Sequence, residues 1–175
     1  MTLAKWTDRR FAFDVPATIY PELIAQLAAA PARAAVLLER VPETAAAVRN
    51  GTAWSMLDHV GHLADLDDSL FIDRLKQFAA GEEVLRAADM TNAATETARH
   101  FERARVDVVD GFRRSSKAVA ARLRALPADA FERGALHPRL KTSMRLVDML
   151  HFHTEHDDHH LTRVDELAAG WLQRS

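Results

Sequence analysis

Hydrophobic residues recur along most of the chain at the three- and four-residue spacing of amphipathic α-helices, and no stretch shows the alternation of a strand. Turn and capping residues divide this pattern into long segments. The pattern predicts helices at residues 21–40, 55–78, 91–126 and 142–169, after a short N-terminal arm of residues 1–16. Four such helices in 175 residues predict an all-α fold, a four-helix bundle forming a single domain over residues 1–175.

The predicted helix boundaries depend on residues with known local preferences. Ser55 and Asp58 have the spacing of a capping box, which starts the second helix. Thr142 or Ser143 is expected to cap the fourth helix. Pro31 has no amide hydrogen to donate inside the first helix, so we expect it to bend or split that helix.

The composition narrows the possible functions. The chain has 23 Lys and Arg residues and 25 Asp and Glu residues, which gives a formal net charge of −2. Residues of both signs are interspersed along the sequence, and this distribution argues against a nucleic-acid partner. The chain has no cysteine, so a metal would have to bind nitrogen and oxygen ligands. The start does not resemble a signal peptide, and no apolar run approaches the ~18–20 residues of a membrane span. We therefore expect a cytoplasmic protein without a membrane partner.

Five of the nine histidines fall within residues 151–160, inside the fourth predicted helix. His156 and His160 lie about 40° apart on a helical wheel and share their face with apolar residues, so both should face the core. Burying unpaired imidazoles costs on the order of 1–3 kcal/mol for each unsatisfied group, whereas a divalent cation satisfies one nitrogen of each ring. The spacing therefore favours metal binding over an ordinary hydrogen-bonded pocket.

A third ligand has to come from another helix, and the second predicted helix offers His59 and His62. Its apolar residues place the core-facing direction about 100° from His62, which slightly favours His59 without settling the choice. His153 lies close enough on the fourth-helix wheel to contribute as well. The remaining histidines are expected at the surface or in loops: His100, His137, His151 and His159.

Two blocks of the sequence carry a family resemblance. Gly61-His62-Leu63-Ala64-Asp65, after Trp54-Ser55, is similar to the second-helix block of the DinB-like superfamily, whose YfiT-type members are four-helix metalloproteins. Glu155-His156-Asp157-Asp158-His159-His160-Leu161 is similar to the C-terminal block of the same superfamily. The resemblance implies that His62, His156 and His160 bind a divalent metal, and it selects His62 over His59.

The resemblance leaves the reaction open, because the superfamily includes thiol-dependent S-transferases, a thiol-dependent maleylpyruvate isomerase and members without an assigned reaction. A three-histidine metal with an open position favours the deprotonated form of water or of a thiol. Since the chain has no thiol of its own, we predict an S-transferase that uses a low-molecular-weight thiol such as bacillithiol, mycothiol or glutathione. The alternatives are a metal-dependent hydrolase, and a non-catalytic metal-binding bundle in which His59 or His153 completes the coordination.

Several finer predictions complete this picture. Three imidazoles suit many divalent metals, and we expect zinc or nickel. Asp65 is expected to orient an imidazole, and Arg163 to meet an anionic substrate or cofactor. Asp157 and Asp158 should face solvent or lie beside the ligands. Alanine-rich helix surfaces and the arm of residues 1–16 predict a homodimer, unless the arm folds back on the bundle.

Overall fold

Helices account for most of the protein, whose computed structural model describes residues 4–174. The helices are α1 (Tyr20–Glu39), α2 (Glu43–Ala46), α3 (Met56–Leu66), α4 (Ile72–Ala80), α5 (Ala93–Ala98), α6 (Arg105–Arg124) and α7 (Leu146–Leu172). Two short strands, β1 (Gly134–His137) and β2 (Thr142–Arg145), pair as an antiparallel hairpin. The predominantly helical fold is confirmed, and the small hairpin is an element that the all-α prediction did not include.

The long helices pack in an order that differs from their order along the chain. α1 packs against α6 and α7, and α3 packs against the same two helices. The consecutive helices α1 and α3 therefore lie across the bundle from each other, whereas neighbours in sequence are neighbours in space in an up-and-down bundle. This arrangement places the histidines of α3 directly opposite those of α7.

A polar layer separates two apolar clusters in the core. Along α7, one cluster ends at Phe152 and the other begins at Leu161, with most of the histidine-rich stretch between them. Along α6 the two clusters follow in the reverse order, with the buried Ser115 and Ser116 between them. They also follow in the reverse order from α3 to α4, with the buried Asp67 between them. Buried polar groups need hydrogen-bond partners or a ligand. We therefore expect the functional site to lie in this layer.

The second predicted helix is confirmed in extent but is not uniform. It begins with the expected capping box, in which Ser55 Oγ accepts a hydrogen bond from the Asp58 amide at 3.0 Å and Asp58 Oδ2 accepts one from the Ser55 amide at 2.9 Å. A π-helical turn, Asp67–Phe71, joins α3 to α4. Such a turn rotates the residues that follow it relative to a straight α-helix.

The prediction of one long third helix is wrong. The chain breaks between α5 and α6, where Arg99 adopts a left-handed conformation with φ 48°. Thr95 and His100 instead turn toward α3, where Asp65 Oδ2 accepts hydrogen bonds from both side chains at 2.8 and 2.9 Å. These contacts offset the helical hydrogen bonds that are lost. We call residues 93–102 the bridging segment.

The predicted cap of the fourth helix is also wrong, because Thr142 and Ser143 lie in β2. The helix begins at Leu146, and Arg145 precedes it. Asp148 accepts a hydrogen bond from the Arg145 amide at 3.0 Å, which satisfies a donor at the start of the helix. Strands of four residues are too short to show a clear alternation of apolar and polar side chains.

The helix α1 continues through Pro31, so the expected split does not occur. Proline cannot donate to the carbonyl four residues earlier, which here is that of Leu27. The Ser116 hydroxyl donates to that carbonyl at 2.9 Å. A side chain of α6 therefore supplies the hydrogen bond that the proline lacks.

The residues 17–39 are long and apolar enough to cross a membrane by length and composition alone, with a mean hydropathy of 1.2. This corrects the expectation that no segment approaches such a span. Core helices meet the same criterion, and here α1 packs against α6 and α7.

Residues 4–16, the part of the N-terminal arm that the structure describes, fold back on the bundle. The ring centroid of Trp6 lies 4.9 Å from that of Phe152, and Arg9 forms an ion pair with Glu155 at 2.6 Å. The arm thus takes the alternative position that the sequence left open. The homodimer, the cytoplasmic location and the single domain remain predictions.

Candidate metal site

Three histidines from two helices converge in the polar layer. One ring nitrogen from each of His62, His156 and His160 lies within 4.8 Å of the other two. The Nε2 atoms of His156 and His160 are 3.1 Å apart. All three side chains are buried. The structure therefore brings together the three histidines that the family resemblance implied.

Burial keeps these imidazoles uncharged near neutral pH. It lowers the pKa of His62 to about 4, and it lowers the pKa of His156 and of His160 well below the ordinary histidine value. Each neutral ring carries one nitrogen lone pair. The cluster can therefore offer lone pairs to a cation without first losing protons.

A hydrogen-bond chain fixes the orientation of His62. Its Nδ1 lies 3.0 Å from Thr95 Oγ1, and the Thr95 hydroxyl donates its only proton to Asp65 Oδ2 at 2.8 Å. Thr95 must then accept from the Nδ1–H of His62, which leaves Nε2 as the free lone pair. Asp65 thus reaches His62 through Thr95, a residue that no sequence motif singles out.

His100 completes this chain, so the expectation of a surface or loop position is wrong. Only 3% of the residue is exposed, and its Nε2 donates to Asp65 at 2.9 Å. Burial opposes ionisation of Asp65, but the hydrogen bonds from His100 and Thr95 lower its pKa below the ordinary value. A Cβ atom at Gly61 would lie 2.1 Å from the His100 ring. The glycine before His62 is therefore required by the close approach of His100.

The α7 side of the cluster is held differently. His160 Nδ1 lies 2.8 Å from His59 Nδ1, whereas the buried Nδ1 of His156 has no hydrogen-bond partner within residues 4–174. His59 therefore faces the outer nitrogen of His160 and does not share the inner cluster. Burial lowers the pKa of His59 to about 3, so this ring is neutral as well.

His153 belongs to a separate polar group. Its Nε2 lies 2.8 Å from Asp67 Oδ1 and 4.0 Å from Asp157, and its ring stacks on Phe71 with centroids 3.9 Å apart. Burial opposes the charge of His153, but Asp157 and Asp67 raise its pKa. Burial also raises the pKa of Asp157 to about 7. Asp157 thus lies beside the ligands rather than in solvent.

The exposure of several other polar residues of α7 and the hairpin can be compared with the expectations from the sequence. His137 and His159 are buried, although we expected them at the surface or in a loop. His159 packs against Trp6, with ring centroids 5.7 Å apart. His151 is half-buried, and Asp158 is exposed.

Two tryptophans flank the histidine cluster. The ring centroid of Trp6 is 4.9 Å from that of His156, and the ring centroid of Trp54 is 4.8 Å from that of His62. The Trp54 indole N–H donates to Glu96 at 2.6 Å, which ties this ring to the bridging segment. Both rings limit the access of water to the cluster.

A cavity of about 100 Å³ adjoins the cluster. Arg163 is not among the residues that line it, and its guanidinium pairs with Glu166 instead. The lining combines two of the three imidazoles, an apolar wall and two cationic side chains: His62, His156, Leu66, Leu70, Met149, Phe152, Arg74 and Arg139.

The donor set fits a divalent metal. Three neutral imidazoles converge, the tautomer of His62 is fixed by its outer hydrogen bond, and the described residues offer three such ligand atoms in this cluster. His59 and His153 lie outside the cluster, so the fourth ligand of a closed site is missing from the part of the chain that the structure describes. A metal bound by this set would keep a coordination position for a small molecule.

The helical fold and this cluster define a candidate metalloprotein. A sequence profile of the DinB superfamily matches residues 26–163. The chain therefore belongs to the DinB superfamily.

A solved structure shares this fold. The chain is similar to YfiT from Bacillus subtilis, described as a probable metal-dependent hydrolase with an unusual four-helix bundle topology. The TM-score is 0.78, the sequence identity is 22%, and the match covers 93% of each chain. A comparison with curated proteins gives no match. At this identity, the likeness to YfiT shows the fold alone.

Proposed function

We propose that this protein is a metal-dependent hydrolase with a four-helix-bundle fold, in which His62, His156 and His160 bind one divalent ion, zinc or nickel. The observation that carries the proposal is the convergence of three neutral imidazoles beside a cavity. The description of YfiT as a probable metal-dependent hydrolase supports the same reaction class.

The residues of the chain have distinct tasks in this proposal. A divalent ion held by three imidazoles supplies Lewis acidity, which lowers the pKa of water or of a thiol. Thr95 and Asp65 hold His62 in the required tautomer, and His59 accepts the outer N–H of His160. The apolar wall of the cavity excludes bulk water from the reacting groups.

The S-transferase predicted from the sequence is the second candidate. The cationic side chains Arg74 and Arg139 in the cavity lining suit an anionic thiol such as glutathione, mycothiol or bacillithiol. This candidate uses the same histidines and differs only in the nucleophile. A non-catalytic metal-binding bundle is disfavoured, because the cluster has an adjoining cavity and His59 does not complete it.

The first test is metal content after purification without nickel resin. We expect about one divalent ion per chain in the wild type and a loss of nearly all of it in His156→Ala. His151→Ala is the matched control, because His151 lies on the same helix outside the cluster. A metal content that is the same in both variants would overturn the site.

A second measurement separates the two reactions. Small aryl esters and amides, together with electrophilic acceptors, are incubated with the metal-loaded protein, with and without each of the three thiols. Product release that needs no thiol and is lost in His156→Ala supports the hydrolase. Turnover that appears only with a thiol contradicts it and supports the S-transferase.

A further inference from the structure

Arg74 on α4 is a buried cation without an anionic partner. Its side chain is 4% exposed, and no carboxylate forms an ion pair with it within residues 4–174. Its Nε and Nη2 atoms donate to the Arg86 carbonyl at 3.1 and 2.9 Å, and Nη1 contacts Met149 Sδ at 3.6 Å. Each guanidinium nitrogen thus has one contact, and the second N–H of Nη1 and of Nη2 has no acceptor among residues 4–174.

Such an arrangement is unusual, because buried charges in proteins are normally paired. Burial lowers the pKa of Arg74 to about 10, and the neighbouring Arg139 and Arg86 add repulsion. The guanidinium nevertheless stays charged at neutral pH. An anion beside the guanidinium would therefore offset the unfavourable free energy of burying this charge without a counter-ion.

The position of Arg74 suggests where that anion would come from. Arg74 lines the same cavity as His62 and His156, and the exposed Arg139 lines it too. Asp89 is the acidic residue in this lining, but its carboxylate already accepts hydrogen bonds from Thr91 and from the Ala93 amide. Asp89 thus serves the start of α5 and not the guanidinium.

We propose that Arg74 binds the oxyanion of a small organic acid whose apolar body lies along the cavity wall toward the histidine cluster. A guanidinium binds a planar or tetrahedral oxyanion through paired N–H donors. The apolar body would contact Leu66, Leu70 and Phe152. As a statement about substrate, this inference rests on the proposed function, but the anion site itself can be tested without turnover.

The size of the cavity limits the ligand. At about 100 Å³ it is somewhat smaller than an engineered cavity of about 150 Å³ that holds benzene. A ring of about the size of benzene would fill this space if part of the ligand extends out of the cavity. The ligand class is therefore a small aromatic or branched aliphatic acid.

The competing explanation is structural, since Arg74 also ties α4 to the loop at Arg86 through the carbonyl of that residue. The two roles differ in ligand selectivity. If Arg74 only holds two chain segments together, its substitution should weaken the binding of charged and neutral ligands alike. If Arg74 binds an anion, its substitution should weaken the binding of the charged ligand alone.

The test compares two probes of nearly equal shape, benzenesulfonate and the neutral methyl phenyl sulfone, by isothermal titration calorimetry. Sulfonate is a weak metal ligand, and the charge of the exposed Arg139 is screened by solvent, so the selectivity reports mainly on Arg74. We expect the wild type to bind benzenesulfonate at least about tenfold more tightly than the sulfone, and Arg74→Gln to abolish that difference. Arg86→Gln is the matched control, because it keeps the backbone carbonyl and should keep the selectivity.

Two results would overturn the anion site: equal affinity of the wild type for both probes, or equal weakening of both in a folded Arg74→Gln variant. Arg74→Lys keeps the charge and should keep a preference for the sulfonate, which tests the proposal if Arg74→Gln does not fold. The titrations are repeated on His156→Ala. Selectivity that persists there while metal is absent from both proteins would mean that the proposed metal function fails and the anion site stands.

Discussion

The two sides of the histidine cluster are built in different ways. On α3, the outer nitrogen of His62 is held by a polar chain through Thr95 to Asp65, which the bridging segment completes. On α7, His156 and His160 are placed by their spacing along one helix, and the outer nitrogen of His156 has no partner in the described chain. One side thus depends on tertiary contacts. The other depends mainly on helical geometry, with His59 of α3 contacting the outer nitrogen of His160.

This difference indicates which parts of the protein control the site. A continuous helix fixes the separation of residues four apart without help from neighbouring segments. The orientation of His62 instead requires the bridging segment to stay against α3. We therefore expect changes at the contacts of this segment to affect stability or metal binding at a distance from the ligands.

The largest effect is expected from Asp58→Ala, which would detach both the start of α3 and the bridging segment. Asp58 is fully buried, and it accepts hydrogen bonds from Arg49 at 2.7 Å, from the Ser55 amide and from the Phe101 amide. We expect a loss of about 3 kcal/mol in the free energy of unfolding, because buried donors lose their acceptor. Urea denaturation measures it, and Asp73→Ala, at a half-buried position with ion pairs to the exposed Lys76 and Arg86, should cost less than about 1 kcal/mol.

The contribution of Asp58 to the free energy of unfolding should also depend on pH. Burial opposes ionisation of Asp58, but hydrogen bonds from Arg49 and Ser55 lower its pKa below the ordinary aspartate value. Its stabilising contribution is therefore complete above the unfolded-state pKa and is lost as the pH falls through the lower folded-state value. The wild type should lose stability on acidification more steeply than Asp58→Asn. Parallel profiles would contradict this assignment.

Gly61→Ala should have the next largest effect. The new methyl group would meet the His100 ring, which is packed against Asp65, so the ring has to move. We expect a loss of about 1–3 kcal/mol in the free energy of unfolding together with weaker metal binding. Gly111→Ala is the matched control in α6, where a methyl group meets only the end of Arg114, and it should stabilise by about 0.5–1 kcal/mol. Stabilisation by both changes would show that His100 is not held in place.

Thr95→Val should have the smallest effect on folding and a selective effect on metal. Removing the acceptor of the His62 outer N–H should weaken metal affinity about 10–100-fold, measured by competition with a chelator. Thr95→Ser keeps the hydroxyl and should restore most of the affinity.

His59→Ala tests the other side of the comparison. His59 is only half-buried, so water can take the place of its ring beside His160, and we expect a smaller loss of affinity than in Thr95→Val. An equal or greater loss in His59→Ala would mean that α7 depends on tertiary contacts as much as α3 does.

The ligand choice shows why the sequence alone could not complete the site. A helical wheel reports one core-facing direction, and Val60, Leu63 and Leu66 place it about 100° from His62. The helix α3 is buried on more than one face, because it packs against α6, α7 and the bridging segment, so His62 is buried away from the apolar stripe. The pair on α7 was predictable because that helix is continuous over both residues.

The bridging segment shows that tertiary contacts also limit the prediction of helix boundaries from sequence. The extents of the first, second and fourth helices follow from periodicity and turn residues to within a few residues at each end. Neither glycine nor proline marks the break at Arg99, and the contacts that favour it come from Asp58 and Asp65, far away in sequence. Arg74 and Thr95 were missed for a similar reason, since their roles depend on neighbours that only the folded chain provides.

The placement of Trp6 and Trp54 gives the molecule a built-in optical reporter. Their indole rings flank the imidazole cluster from opposite chain segments, at centroid separations near 5 Å. An open-shell ion such as nickel(II) held at that point would quench their emission, whereas zinc(II) has a filled d shell and would not quench by that route. Occupancy by the two metals could thus be distinguished in solution without a dye or label.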